Sequence, residues 1–133
     1  MEVKELISLA IEVMDYSYSP YSNFKVGACL LTKDGRTFKG ANIENSSYGL
    51  SMCAERNATF QAYCSGVKKE EIEAICIVAK CNRPVSPCGA CRQVLSELLP
   101  TDAKIILANT DYQYFETTIE KLLPYYFTKD DME

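Results

Sequence analysis

Two cysteine segments set the tightest limits on what this chain can fold into. Cys53-Ala54-Glu55 comes first and Pro87-Cys88-Gly89-Ala90-Cys91 follows. Cys53 and Cys88 lie 88 − 53 = 35 residues apart, just enough chain for one helix and one strand between them. If both segments begin helices, two facing helix starts gather three thiols around one metal ion. Unpaired N–H groups and the positive dipole end favour the thiolate at such a position. Three thiolates leave a fourth coordination position open, whereas a structural zinc is normally closed by four protein ligands. Glu55 falls in the first turn beyond Cys53, close to the metal and not needed as a ligand.

Two other readings use the same cysteines. Cys81, Cys76 or Cys64 could close the site as a fourth ligand and make the metal a staple for the fold. Cys88-Gly89-Ala90-Cys91 at a helix start could instead be a redox pair. That option leaves Cys53-Ala54-Glu55 without a purpose, and no aromatic residue precedes Cys88.

Composition narrows the chemistry further. The 133 residues contain no histidine, which excludes Ser/His/Asp and Cys/His nucleophilic machinery and every histidine-ligated metal. Proton transfer near neutral pH then falls to a tuned carboxylate, a thiol or a lysine. A formal net charge of −4 is the wrong footprint for gripping phosphate backbones, so no nucleic-acid partner is expected. Seven cysteines is an odd number, which argues against a complete disulfide framework. With no apolar leader or long apolar run, the expectation is a reducing, cytoplasmic setting and no membrane partner.

Hydrophobic periodicity predicts an amphipathic helix through Val3, Leu6, Ile7, Ala10, Val13 and Met14. Phe24, Val26, Ala28 and Leu30 alternate with Lys25, Gly27 and Cys29, as in a half-buried strand. Asp34-Gly35 turns the chain into a second strand over 36–41. Residues 42–52 carry no period and read as loop. A helix over 54–64 stopped by Gly66, a strand over 72–79 and a helix over 89–99 stopped by Pro100 follow. The second helix turns Val94, Leu95, Leu98 and Leu99 inward. A strand over 105–108, a weak strand over 114–117 and a short helix over 119–123 precede an acidic tail. Strand, helix, strand, helix, strand from 36 to 108 calls for parallel pairing with crossover helices, and the first hairpin is antiparallel. The expectation is one domain over residues 1–133, an α/β fold with a mixed sheet and helices on both faces.

At these residues the chain resembles the small homotetrameric cytidine deaminases, within the zinc-dependent cytidine/deoxycytidylate deaminase family. The zinc motif has the three-cysteine form of the nucleobase-deaminase signature. Ser19-Pro20-Tyr21-Ser22, Phe24-Lys25-Val26-Gly27-Ala28, Asn42-Ile43-Glu44-Asn45, Ser86-Pro87-Cys88-Gly89-Ala90-Cys91-Arg92-Gln93 and Leu122-Leu123-Pro124 followed by Phe127 carry the likeness along almost the whole chain. Ala41, Ser46-Ser47 and Asn57 depart from the more usual family residues.

The resemblance implies a three-layer α/β/α sandwich around a five-stranded mixed sheet. It implies hydrolysis of free cytidine and 2′-deoxycytidine to uridine and 2′-deoxyuridine with release of ammonia, a pyrimidine-salvage reaction. One zinc ion per chain would be held by Cys53, Cys88 and Cys91, with Glu55 as proton shuttle. Asn42 and Glu44 would bind the ribose 3′-hydroxyl, and Phe24 would pack near sugar and base. The backbone of Ala54 and Ser86 would address the pyrimidine edge and the leaving amine. From neighbouring subunits, Ser46, Tyr48 and Phe127 would complete the pocket. A deaminase of another aminated heterocycle, such as a nucleoside antibiotic, is the alternative within enzymes.

Charge arithmetic adds Arg56. Three thiolates and a zinc ion sum to −1, a poor setting for acidifying bound water. Helix N-termini and nearby cations must compensate. Arg56 follows Glu55 in the same first turn, where its guanidinium can donate to thiolate sulfur and draw charge from the metal.

Overall fold

The computed structural model describes residues 1–84 and 86–132. Helix α1 (Val3–Val13) runs through a short 3-10 turn into a loop that delivers strand β1 (Val26–Thr32). A hairpin at Asp34-Gly35 returns the chain as β2 (Thr37–Ala41). Helix α2 (Ala54–Cys64), strand β3 (Ile72–Ala79), helix α3 (Gly89–Leu98) and strand β4 (Lys104–Asn109) come next. Strand β5 (Tyr114–Thr117) and the single-turn helix α4 (Ile119–Leu122) end the ordered series.

The five strands form one mixed sheet in the order β2-β1-β3-β4-β5. Only β3 and β4 pair in parallel, and every other neighbouring pair is antiparallel. One expectation is thereby corrected. β2 and β3 do run in the same direction, but β1 lies between them, paired to both. Helix α2 therefore crosses over β1, and the strand–helix–strand unit around it is split in space.

Two apolar layers bury the two faces of the sheet. On one face, α1 packs Leu6, Ile7 and Ala10 against Cys29, Leu31, Cys76, Val78 and Ile106. On the other, α2, α3 and α4 contribute Ala54, Ala58, Ala62, Leu95, Leu99 and Ile119 against Leu30, Ile75, Ile77, Ile105 and Leu107. Each fully buried large aliphatic side chain contributes about 1.5–3 kcal/mol of transfer free energy, so these layers dominate stability. The second correction follows from this sandwich. β1 is buried on both faces beyond Val26, not half-buried, because Gly27, Cys29 and Leu31 meet α1. In α3, Val94 and Leu98 are only half-buried, while Cys91, Leu95 and Ser96 are buried.

Two glycines set how closely the helices approach. A Cβ on Gly27 would stand 2.0 Å from the Ala10 carbonyl oxygen of α1. A Cβ on Gly40 would stand 2.4 Å from the Ala58 nitrogen and 2.8 Å from the Ala54 carbonyl oxygen. Gly40 thus lets the first turns of α2 lie directly on β2. Asn57 fixes that docking by donating from Nδ2 to the Ala41 carbonyl at 2.7 Å.

Candidate active site

Cys53 is the N-cap of α2 and Cys88 the N-cap of α3, both in extended backbone, and Cys91 lies in the first turn of α3. The helix starts face each other as the spacing requires. Cys53 Sγ and Cys88 Sγ are 3.9 Å apart, and Cys88 Sγ and Cys91 Sγ are 3.2 Å apart. All three sulfurs lie within 4.8 Å of one another, and among the described residues they are the ligating group of this kind. Zn–S bonds of about 2.3 Å in tetrahedral geometry put sulfurs about 3.8 Å apart, so the cluster fits one zinc ion.

The other thiols lie elsewhere. Cys76 is buried in the layer beneath α1, Cys64 is exposed at the end of α2, and Cys81 lines a cavity with Phe24 and Ser86. None of them joins the three as a fourth ligand among the described residues.

Without metal, the three thiols share their protons unequally. The Cys53 thiol is pulled down to about 5, chiefly by a hydrogen bond from Cys91, with Arg56 and Cys88 assisting against burial. Cys91 is pushed up because it keeps its proton to donate to Cys53 and because it is buried. Arg56 Nη2 donates to Cys53 Sγ at 3.7 Å. It forms no ion pair with a carboxylate among the described residues, and its buried Nε has no partner there.

Glu55 points the opposite way in its electrostatics. It is buried in the first turn of α2, and loss of water raises its carboxyl to about 7. The Cys91 thiol hydrogen-bonds it and opposes the rise, while the charge on Cys53 reinforces it. A carboxyl that gains and loses its proton near neutral pH, beside a metal-ligating cluster, has the properties of a general acid and base. Ala54, between Cys53 and Glu55, is fully buried.

The loop 42–52 is more ordered than its lack of periodicity suggests. Ile43 bridges to both Tyr18 and Met52, closing the loop so that it leads directly into Cys53. Asn42 Nδ2 donates to the Phe24 carbonyl at 2.8 Å, and its Oδ1 accepts from Val26 N at 2.9 Å and from the Ser17 hydroxyl. Glu44 Oε1 accepts from the backbone N–H groups of Tyr21 at 3.0 Å and Ser22 at 3.2 Å, and Oε2 accepts from the Ser22 hydroxyl. Those bonds hold the Glu44 carboxyl below the usual carboxylate range, the Ser22 hydroxyl contributing most. Both side chains therefore organise the loop that presents Phe24. That bracing carried no sequence signal at Ser17, and at Ser22 none beyond the Ser-Pro-Tyr-Ser run itself.

Phe24 and Ser86 line one cavity of about 520 Å³ together with Cys81, Arg83, Pro84 and Phe115. Glu44 and Tyr48 line a smaller one with Tyr21, Asn45 and Ser51. Phe127 is separated from both. It lines a groove with Tyr63, Ser96 and Leu98, and no cysteine of the cluster borders it. Ser46 and Tyr48 face solvent, Tyr48 being 85% exposed.

Sequence reading gave no role to Arg92, whose guanidinium joins three segments. Nε donates to the Pro87 carbonyl at 2.9 Å, Nη2 to Ser86 Oγ at 2.6 Å and Nη1 to the Leu122 carbonyl at 2.5 Å. Its place directly after Cys91 was the available signal.

Comparison with known proteins places this geometry in a family. A family model described as the cytidine and deoxycytidylate deaminase zinc-binding region matches residues 1–108. A cytidine deaminase of Halalkalibacterium halodurans is 52% identical over 132 residues, covering 99% of this chain and 98% of the relative. A cytidine deaminase of Sporosarcina psychrophila is 45% identical over 132 residues, covering 99% and 96%. The crystal structure of cytidine deaminase from Burkholderia pseudomallei superposes with a TM-score of 0.93 at 45% identity, covering 96% of this chain and all of that one. The family match over most of the chain and the close likeness in sequence and fold agree, and the chain belongs to the zinc-binding cytidine and deoxycytidylate deaminase family.

Proposed function

We propose that this protein deaminates free cytidine and 2′-deoxycytidine hydrolytically, giving uridine and 2′-deoxyuridine and releasing ammonia. The observation that carries the reading is the cluster of Cys53, Cys88 and Cys91 at two facing helix starts, with buried Glu55 beside it. Cys53, Cys88 and Cys91 would hold a zinc ion, which would supply a water acidified toward neutrality.

The chain's own residues do the rest. Glu55 takes the water's proton and delivers it to the ring nitrogen, then collects the proton of the hydroxyl added at the amine-bearing carbon and hands it to the departing amine. Proton and water balance, since the water contributes the new carbonyl oxygen and ammonia carries the amine away. The peptide groups of Ala54 and Ser86 orient the pyrimidine, Phe24 packs against it, and Asn42 and Glu44 bind the sugar hydroxyl. Both side chains are half-buried and already held by the 17–26 segment, which fixes the direction in which they meet the sugar. Arg56 draws charge from the cluster through Cys53 Sγ.

The active form is a homotetramer of single-domain chains. Tyr48, Leu50, Phe60 and Phe127 are exposed apolar side chains on the isolated chain, and Ser46, Tyr48 and Phe127 would serve a neighbour's pocket. The setting is the cytoplasm, in keeping with seven cysteines that are all free among the described residues.

The test is the loss of cytidine absorbance on mixing zinc-loaded protein with cytidine or deoxycytidine, with ammonia measured alongside. Turnover of both nucleosides is expected. Zinc-loaded protein that leaves both untouched and deaminates a nucleoside antibiotic instead would overturn the substrate assignment.

A further inference from the structure

The residue immediately after the last metal ligand holds two parts of the chain, the turn before it and the end of a helix 30 residues further on. Arg92 donates to Ser86 Oγ and the Pro87 carbonyl, within the turn that ends in Cys88, and to the Leu122 carbonyl at the end of α4. All three acceptors are neutral, and Arg92 forms no ion pair among the described residues. Only a planar guanidinium presents donors in three directions at fixed angles, and a lysine ammonium in the same place cannot reproduce the set.

The next residue repeats the pattern. Gln93 Nε2 donates to the Phe127 carbonyl at 3.0 Å. Two successive side chains of α3 thus hold the C-terminal arm at both ends, Leu122 and Phe127. Between those tethers the backbone bends through Tyr125 at φ 56°, a left-handed conformation that a bulky residue rarely adopts. The Tyr125 side chain is fully exposed, so it makes no packing contact that could hold the bend. The tethers from α3 are what over-determine it.

We infer that Arg92, assisted by Gln93, is a positioning residue that couples the metal-bearing turn of a chain to the placement of that chain's own C-terminal arm. The inference deepens the proposed function and rests on it in one respect, that Phe127 enters a neighbouring subunit's pocket. On that basis a single guanidinium acts on two sites. It steadies Ser86 in its own pocket and, by holding Leu122 while Gln93 holds Phe127, helps to aim Phe127 into another.

The experiment compares zinc-loaded wild type, Arg92→Lys, Gln93→Ala, Phe127→Ala and the Arg92→Lys/Phe127→Ala double variant. Amide hydrogen exchange over 125–128 should quicken in Arg92→Lys by roughly tenfold, the scale of one lost charge-assisted hydrogen bond. Exchange in α1 should not change, and zinc content should remain near one per chain. KM for cytidine should rise by about the same factor, with a smaller change in kcat. In the Phe127→Ala background most of that KM rise should vanish, because the arm no longer carries the side chain being aimed. Gln93→Ala removes one tether without touching the metal turn and should quicken exchange in the arm alone. It decides the matter if Arg92→Lys does not fold. Unchanged exchange over 125–128 in the tethering variants, or a KM effect fully additive with Phe127→Ala, would overturn the inference. Failure of the wild type to deaminate cytidine would count against the substrate assignment, while the exchange result would still decide whether α3 holds the arm.

Discussion

The chain carries two sets of thiols in two different settings, one between sheet and helix and one at two helix starts. Cys29 and Cys76 face each other across β1 and β3 in the layer beneath α1. Burial pushes them up to about 11 and about 12, so they are inert apolar filler. Cys53, Cys88 and Cys91 sit at helix starts on the other side of the sheet, where Cys53 is pulled down to about 5. One residue type thus serves as packing in one layer and as ligand in the other. What sets Cys53 apart from the buried pair is the hydrogen bonding it receives from Cys91, Arg56 and Cys88.

The largest expected effect comes from crossing that boundary. Cys53→Ser, Cys88→Ser or Cys91→Ser should each abolish tight zinc binding and reduce activity to background. Cys29→Ser and Cys76→Ser should retain one zinc per chain and lose only stability. Zinc analysis of the purified variants makes the comparison, and loss of zinc in Cys76→Ser equal to that in Cys88→Ser would break it.

Glu55→Gln should retain zinc and lose activity by on the order of 10²–10⁴-fold, the scale of general acid–base catalysis. Its burial has a second consequence in metal-free protein. The folded chain keeps the Glu55 proton up to about pH 7, whereas the unfolded chain releases it near 4.5, as an ordinary glutamate does. The unfolded state therefore binds fewer protons between those limits, and folding stability falls as pH rises through them. The fall amounts to about 3 kcal/mol by the conversion of pKa to free energy, so metal-free Glu55→Gln should be more stable than wild type at pH 7 and no more stable at pH 4. Denaturant melts at both pH values check this, and equal stability at pH 7 would count against a strained, buried carboxyl.

Arg56→Gln should lower kcat by roughly 10–100-fold with zinc largely retained, the usual cost of removing a partner of a metal ligand. Arg56→Asp should be worse, because it adds negative charge to a site already at −1. Equal kcat for wild type and both variants across pH would remove Arg56 from the account.

The smallest effect is structural. Gly40→Ala places a Cβ 2.4 Å from the Ala58 nitrogen, so α2 must shift away from β2. A loss of about 1–3 kcal/mol is expected from overpacking, read by thermal or denaturant melts. An unchanged midpoint would show that α2 does not depend on this close approach.

Much of this was legible in the sequence because it is written in local signals. The bounds of α2 and β3 follow from periodicity and stop residues, and the three ligands follow from spacing and helix starts. Sheet order was not legible. Nothing in the alternation of Phe24 to Leu30 says that β1 will be gripped on both faces, because Gly27 and Cys29 are small enough to read as polar-side residues yet meet α1. The bracing of 20–26 by Asn42 and Glu44, and the grip of Arg92 on Leu122, are side-chain bonds to backbone groups far away in sequence. Such bonds leave no periodic trace.

The central claim is that three thiols hold one zinc ion and leave its fourth position open. X-ray absorption at the zinc edge of the purified, active protein tests it most directly. The account predicts three sulfur neighbours at about 2.3 Å and one oxygen or nitrogen neighbour at about 2.0 Å. Four sulfur neighbours would mean that a further cysteine closes the site, and would contradict it.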